Sequence, residues 1–94
     1  MQLVMVKGGE YLVQENDGTP VYKIGKGRDV KNPKRYGWQT IYPVAWVVIP
    51  PDGKVREACR DDKVKKHKNL RAAIKSLGMQ FTNSPGPLRI LESL

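Results

Sequence analysis

Apolar side chains recur along this chain with two different periods, and turn-forming residues separate the stretches. Leu3-Val4-Met5-Val6 is a short strand candidate ended by Gly8-Gly9, and Tyr11-Leu12-Val13 opens a second that runs into Asn16-Asp17-Gly18-Thr19-Pro20. Val21-Tyr22-Lys23-Ile24 alternates apolar and polar, so residues 10–25 are predicted to form a β-hairpin. Ile41 to Ile49 is rich in β-branched and aromatic residues and predicts a central strand. Pro50-Pro51-Asp52-Gly53 supplies the residues of a turn, from which Lys54 to Cys59 is predicted to return antiparallel.

After that the period changes. Asp61 or Asp62 suits the first position of a helix, and Val64, His67, Leu70, Ala73, Ile74 and Leu77 fall on one side of it. Lys65, Lys68, Arg71 and Lys75 point the other way, and Gly78 ends the run. Met79 to Thr82 reads as an edge strand, Asn83 to Pro87 as a loop, and Leu88 to Leu94 as a short amphipathic tail. The expected fold is α+β: a mostly antiparallel sheet of four or five strands with one principal helix packed on one face. With 94 residues the chain accommodates one core, so residues 1–94 are expected to form a single small basic domain, with 83–94 as loop and tail.

Charge adds what periodicity does not. Seventeen Lys and Arg stand against nine Asp and Glu, a net +8. Residues 23–75 hold fifteen of the basic and five of the acidic groups, so the positive field belongs to one segment. Such a balance favours polyanionic partners. Within it, Gly25 to Gly37 reads as a basic loop, or a loop with one helical turn. Its cations Lys26, Arg28, Lys31, Lys34 and Arg35 are followed by Tyr36 and Trp38, whose rings suit stacking on bases or wedging at a groove. With Lys65, Lys68, Arg71 and Lys75 on the helix face, these residues form the expected nucleic-acid-binding set, DNA before RNA. About six phosphate contacts would cost roughly a thousandfold in affinity between 50 and 200 mM salt. Arg28 and Arg35 are the candidates for reading guanine, since a guanidinium pairs with it bidentately.

Other chemistries find less support. One Cys and one His make no zinc cluster. Cys59 and His67, on a predicted strand and helix, have no reason to meet, and Gly25-Lys26-Gly27 lacks the ending of a phosphate-cradling loop, leaving at best a weak anion nest. No cofactor is expected. The longest apolar run, Tyr42 to Ile49, is far short of the roughly twenty residues that span a bilayer. With no leader-like start and a single cysteine, the expected location is intracellular, the cytoplasm or nucleoid of a bacterial or archaeal cell.

Gly9-Glu10-Tyr11, ten intervening residues, Tyr22-Lys23-Ile24-Gly25 and then a basic segment resemble the N-terminal half of the GIY-YIG nuclease superfamily. The resemblance covers about a third of the chain. It implies Tyr11 and Tyr22 beside a metal-bound phosphodiester, Arg35 or Arg28 steadying the phosphate, and Glu57, or Asp62 on the helix, holding Mg²⁺ or Mn²⁺. Strand, Pro-Asp-Gly-Lys turn, strand and helix across residues 44–77 are similar in layout to small DNA-binding modules, such as methyl-CpG-binding domains and the arm-binding domains of phage integrases. The sequence therefore leaves three readings: a DNA-binding domain, a metal-dependent nuclease, and a phage or mobile-element regulator whose basic face docks on an acidic host protein.

Overall fold

A computed structural model describes residues 1–82 and 89–94. Its main sheet has six strands: β1 (Gln2–Lys7), β2 (Glu10–Gln14), β3 (Pro20–Arg28), β4 (Val44–Ile49), β5 (Met79–Phe81) and β6 (Arg89–Ser93). Their spatial order is β4-β3-β2-β1-β6-β5, and every pairing is antiparallel. Two further strands, βa (Lys34–Tyr36) and βb (Gln39–Ile41), form a separate hairpin between β3 and β4. The helices are α1 (Val55–Arg60) and α2 (Leu70–Lys75). The class is α+β as expected, with more strands and two short helices instead of one principal helix.

The 10–25 hairpin forms as alternation predicts, with Tyr11 opposite Ile24 and Val13 opposite Tyr22. Because side chains alternate along a strand, Trp46 and Val48 point to one face of β4 while Val47 and Ile49 point to the other. Each face has its own core. On one, Leu3, Val13, Ile24, Ala73, Ile74, Met79 and Leu91 are buried together; on the other, Val47, Ile49, Ala58 and Cys59. The helices therefore sit on opposite faces of the sheet. Both edge strands, β4 and β5, touch α2, so the sheet curls around it and α1 lies on the convex side, across β3 and β4.

The segment predicted to return as a strand from Lys54 to Cys59 is α1 instead. Its buried residues explain why: Val55, Ala58 and Cys59 are spaced i, i+3, i+4, the stripe of a helix, whereas a strand would have buried alternate positions. The helix reaches the sheet over two glycines. A Cβ on Gly25 would overlap the Val55 side chain, and one on Gly27 would stand 2.5 Å from Cys59 Sγ. Gly25-Lys26-Gly27 is thus the seat of α1 and not an anion nest.

The helix predicted from Asp61 or Asp62 begins only at Leu70. Asp61 closes α1, donating its N–H to Ala58 O, and its side chain accepts from Lys63 N at 2.9 Å. Residues 61–69 then run as a strap, and His67 and Trp46 exchange backbone hydrogen bonds, 2.8 Å each way. This occupies polar backbone on the outer side of β4, which is an edge strand and not the central one predicted for residues 41–49. The true N-cap of α2 is Asn69, whose Oδ1 accepts from Ala72 N at 2.7 Å. Gly78, at φ 72°, follows the helix as predicted.

The tail predicted for residues 88–94 is in its described part the strand β6, which lies between β1 and β5 and buries Leu91. The loop predicted for residues 83–87 lies outside the described residues. Met79–Phe81 is the edge strand predicted there.

Candidate nucleic-acid interface

The basic loop predicted for residues 25–37 is ordered as strand and ribbon. β3 continues through Lys26 to Arg28, and βa and βb pair Lys34 with Ile41, Arg35 with Thr40 and Tyr36 with Gln39. Gly37, at φ 62°, and Trp38 make the two-residue turn, glycine taking the first central position that needs positive φ. At the base, Asp29 N–H donates to Pro43 O at 2.9 Å and Arg28 Nη1 to Tyr42 O at 3.1 Å. The buried Asp29 carboxylate accepts from Lys31 N and from Asn32 Nδ2. Two backbones are thereby pinned where the ribbon leaves the sheet.

Beyond that base the ribbon stands clear. Every residue from 30 to 42 is exposed, and βa and βb pack chiefly on each other. The stretch holds Lys31, Lys34 and Arg35 and no acidic group. Trp38, 91% exposed, sits at its tip, with Tyr36, Ile41 and Tyr42 also exposed. An isolated two-stranded ribbon is marginal in water, and exposed aromatics on it contribute to no core.

The remaining cations predicted to bind do not share this place. Arg71 and Lys75 are exposed one turn apart on α2, on the concave side of the sheet. Lys65 and Lys68 are exposed on the strap, not on a helix. The continuous basic helix face predicted for residues 65–75 is therefore divided between two segments, because the helical period of residues 61–69 is overridden by the pairing with β4. Lys26 lies apart from the arm, its side chain opposite Trp46 on the concave side. Its backbone N–H donates to Gly9 O at 2.7 Å beside an open groove of about 470 Å³ lined by Lys7, Glu10, Lys23, Lys54 and Arg56. Sequence reading missed this groove because its charges come from three separated segments, and only the doubling back of α1 over β3 brings them together.

No protein-family model, curated protein or solved structure matches the chain.

The residues of the nuclease resemblance are distributed as follows. Tyr11 and Tyr22 lie on the concave face, half-buried against its core, and the Tyr11 ring is 6.1 Å from that of Trp46. Arg28 and Arg35 belong to the ribbon and its base. Glu57 is in the first turn of α1, on the convex side, and Asp62 is on the strap and exposed. The fold does not gather these side chains into one site. Among the described residues no three His, Cys, Asp or Glu side chains are grouped to hold a metal ion, and no helix is long and apolar enough to cross a membrane.

Two titratable groups are displaced by their surroundings. Burial pushes the Cys59 thiol above its ordinary value, an effect that Lys66 partly opposes and Asp29 reinforces. Burial lowers His67, and the neighbouring Lys65 lowers it further. Cys59 and His67 belong to different elements, α1 and the strap, and each is accounted for by packing.

Proposed function

We propose that the protein binds duplex DNA through the ribbon of residues 30–42. The observation that carries this reading is an exposed two-stranded arm with three cations, no carboxylate, and a tryptophan at its tip. A two-stranded ribbon fits the width of a DNA groove. Lys31, Lys34 and Arg35 neutralise phosphates and release their counterions, while Trp38 stacks on or wedges between bases. Arg35 and Lys34 project to opposite sides of the ribbon, so the contacts straddle it.

The salt dependence tests this directly. With about three phosphate contacts from the arm, affinity for a short labelled duplex falls roughly fortyfold between 50 and 200 mM salt, against roughly six thousandfold if the four strap and α2 cations also contribute. Lys34→Gln/Arg35→Gln flattens that dependence, and Trp38→Ala weakens binding at every salt concentration. No binding at 50 mM salt, or binding indifferent to all three changes, overturns the proposal. An acidic protein ligand would then be the reading to pursue.

A further inference from the structure

The groove beside α1 is the second concentration of charge in the molecule, and none of its lining residues belongs to the arm. α1 covers β3 and β4 but stops short of β2 and the Gly8–Gly9 turn, which leaves an opening on the convex face. Lys7, Lys23, Lys54 and Arg56 line it with one carboxylate, that of Glu10, whereas the Lys26 side chain, opposite Trp46, is on the concave side.

Two of these cations are already engaged. Glu10 lies 3.4 Å from Lys7 Nζ and 3.6 Å from Lys23 Nζ, and Lys23 also donates to Gly53 O at 2.8 Å. With side chains 18% and 17% exposed, Lys23 and Glu10 form a fixed pair that ties the turn before α1 to the sheet. Lys54 and Arg56 have no side-chain hydrogen bond or ion pair among the described residues. Both are exposed at the rim of the groove, and a bound anion would supply the counterion they lack.

We propose that this groove is a binding site for a small polyanion carrying two or more phosphate groups. Its volume falls in the range of small-ligand sites. Its lining has no aromatic ring to hold a base and only Val55 as an apolar side chain, so recognition rests on charge. Arg56 offers a planar fork of donors to one phosphate, while Lys54 acts as a point charge on the next. Gly8, Gly9 and Gly53 keep the rim free of side chains, so a phosphate can approach the backbone.

The test is calorimetric titration of the full chain with inorganic tripolyphosphate, beside inorganic phosphate and a short duplex. Saturable one-to-one binding of tripolyphosphate, much tighter than that of phosphate, is expected. Lys54→Gln/Arg56→Gln weakens it about tenfold or more, as removal of two charge-assisted contacts should. Arg71→Gln/Lys75→Gln, which removes the same charge from the concave side, and Lys34→Gln/Arg35→Gln on the arm leave it unchanged. Absence of saturable binding, or equal weakening by all three pairs, overturns the proposal. Loss of tripolyphosphate binding in the arm variant alone also overturns it, by assigning the phosphate chemistry to the DNA interface. Failure of the DNA reading is seen separately, in the duplex titration.

Discussion

Gly27 lies directly beneath Cys59, so close that a Cβ on the glycine would be 2.5 Å from Sγ. The thiol occupies the space of the missing side chain, and this contact sets the height of α1 above β3. Gly27→Ala should destabilise the domain by about 1–3 kcal/mol in urea melts. In Cys59→Ala the clashing atom is gone, so adding Gly27→Ala should cost markedly less, giving a coupling energy that a double-mutant cycle measures. Additive costs would show that α1 is not held by this contact.

Cys59 is 3% exposed and its thiol is held protonated by burial. It should therefore react with a thiol reagent only on unfolding, at a rate that rises with denaturant while a small free thiol reacts at once. The raised value also fixes a sign: the unfolded chain ionises first, so stability present at neutral pH declines as pH rises through the alkaline thiol range. Cys59→Ala removes that decline. Rapid labelling of the native chain would contradict the burial.

His67 gives the opposite slope. Its value is lowered below the ordinary 6.5, so the unfolded chain takes up the proton first, and stability present above about 6.5 is lost as pH falls below it. His67→Gln, which keeps the backbone pairing with Trp46, should flatten denaturation midpoints across that acid range. An unchanged slope would place the acid sensitivity elsewhere.

Asn69→Ala removes the acceptor for Ala72 N–H and should cost about 1 kcal/mol, whereas Asp62→Ala, at one of the two aspartates that suit a helix start in the sequence, should be nearly neutral. Thermal melts of the two variants distinguish the late helix start from the early one.

Trp38→Ala should leave the melting transition within about 0.5 kcal/mol of the parent, since the ring packs against nothing in the core. Trp46→Ala, which withdraws a ring packed against the concave core and Tyr11, should cost about 3 kcal/mol or more. Comparable losses in the two would contradict the separation of arm from body.

The parts that were legible in the sequence are those with an unambiguous local period. Tyr11 to Ile24 alternates around an Asp-Gly turn, and Met79–Phe81 is a short run after a helix-ending glycine; both are strands. The Pro-Asp-Gly turn before Lys54 points to a returning strand, but Val55, Ala58 and Cys59 form a helical stripe. The glycines that decide between the two lie thirty residues earlier, on β3. Residues 61–69 carry a helical period that is outweighed by backbone pairing with an otherwise open edge, a gain visible only once β4 is placed. The arm was legible as charge and aromatics but not as a hairpin, because Lys34 to Ile41 lacks an apolar face to bury. The groove left no local trace, since Lys7, Lys23 and Arg56 are neighbours only in three dimensions.

With residues 30–42 outside both cores, the demands of folding and, on the proposed reading, those of contact fall on different stretches of the chain. The ribbon's length and lettering are free to drift, or to be exchanged for another, while Asp29 and Pro43 keep the mount unchanged. On the DNA-binding reading, a change of target at the outer end would leave the packing beneath untouched.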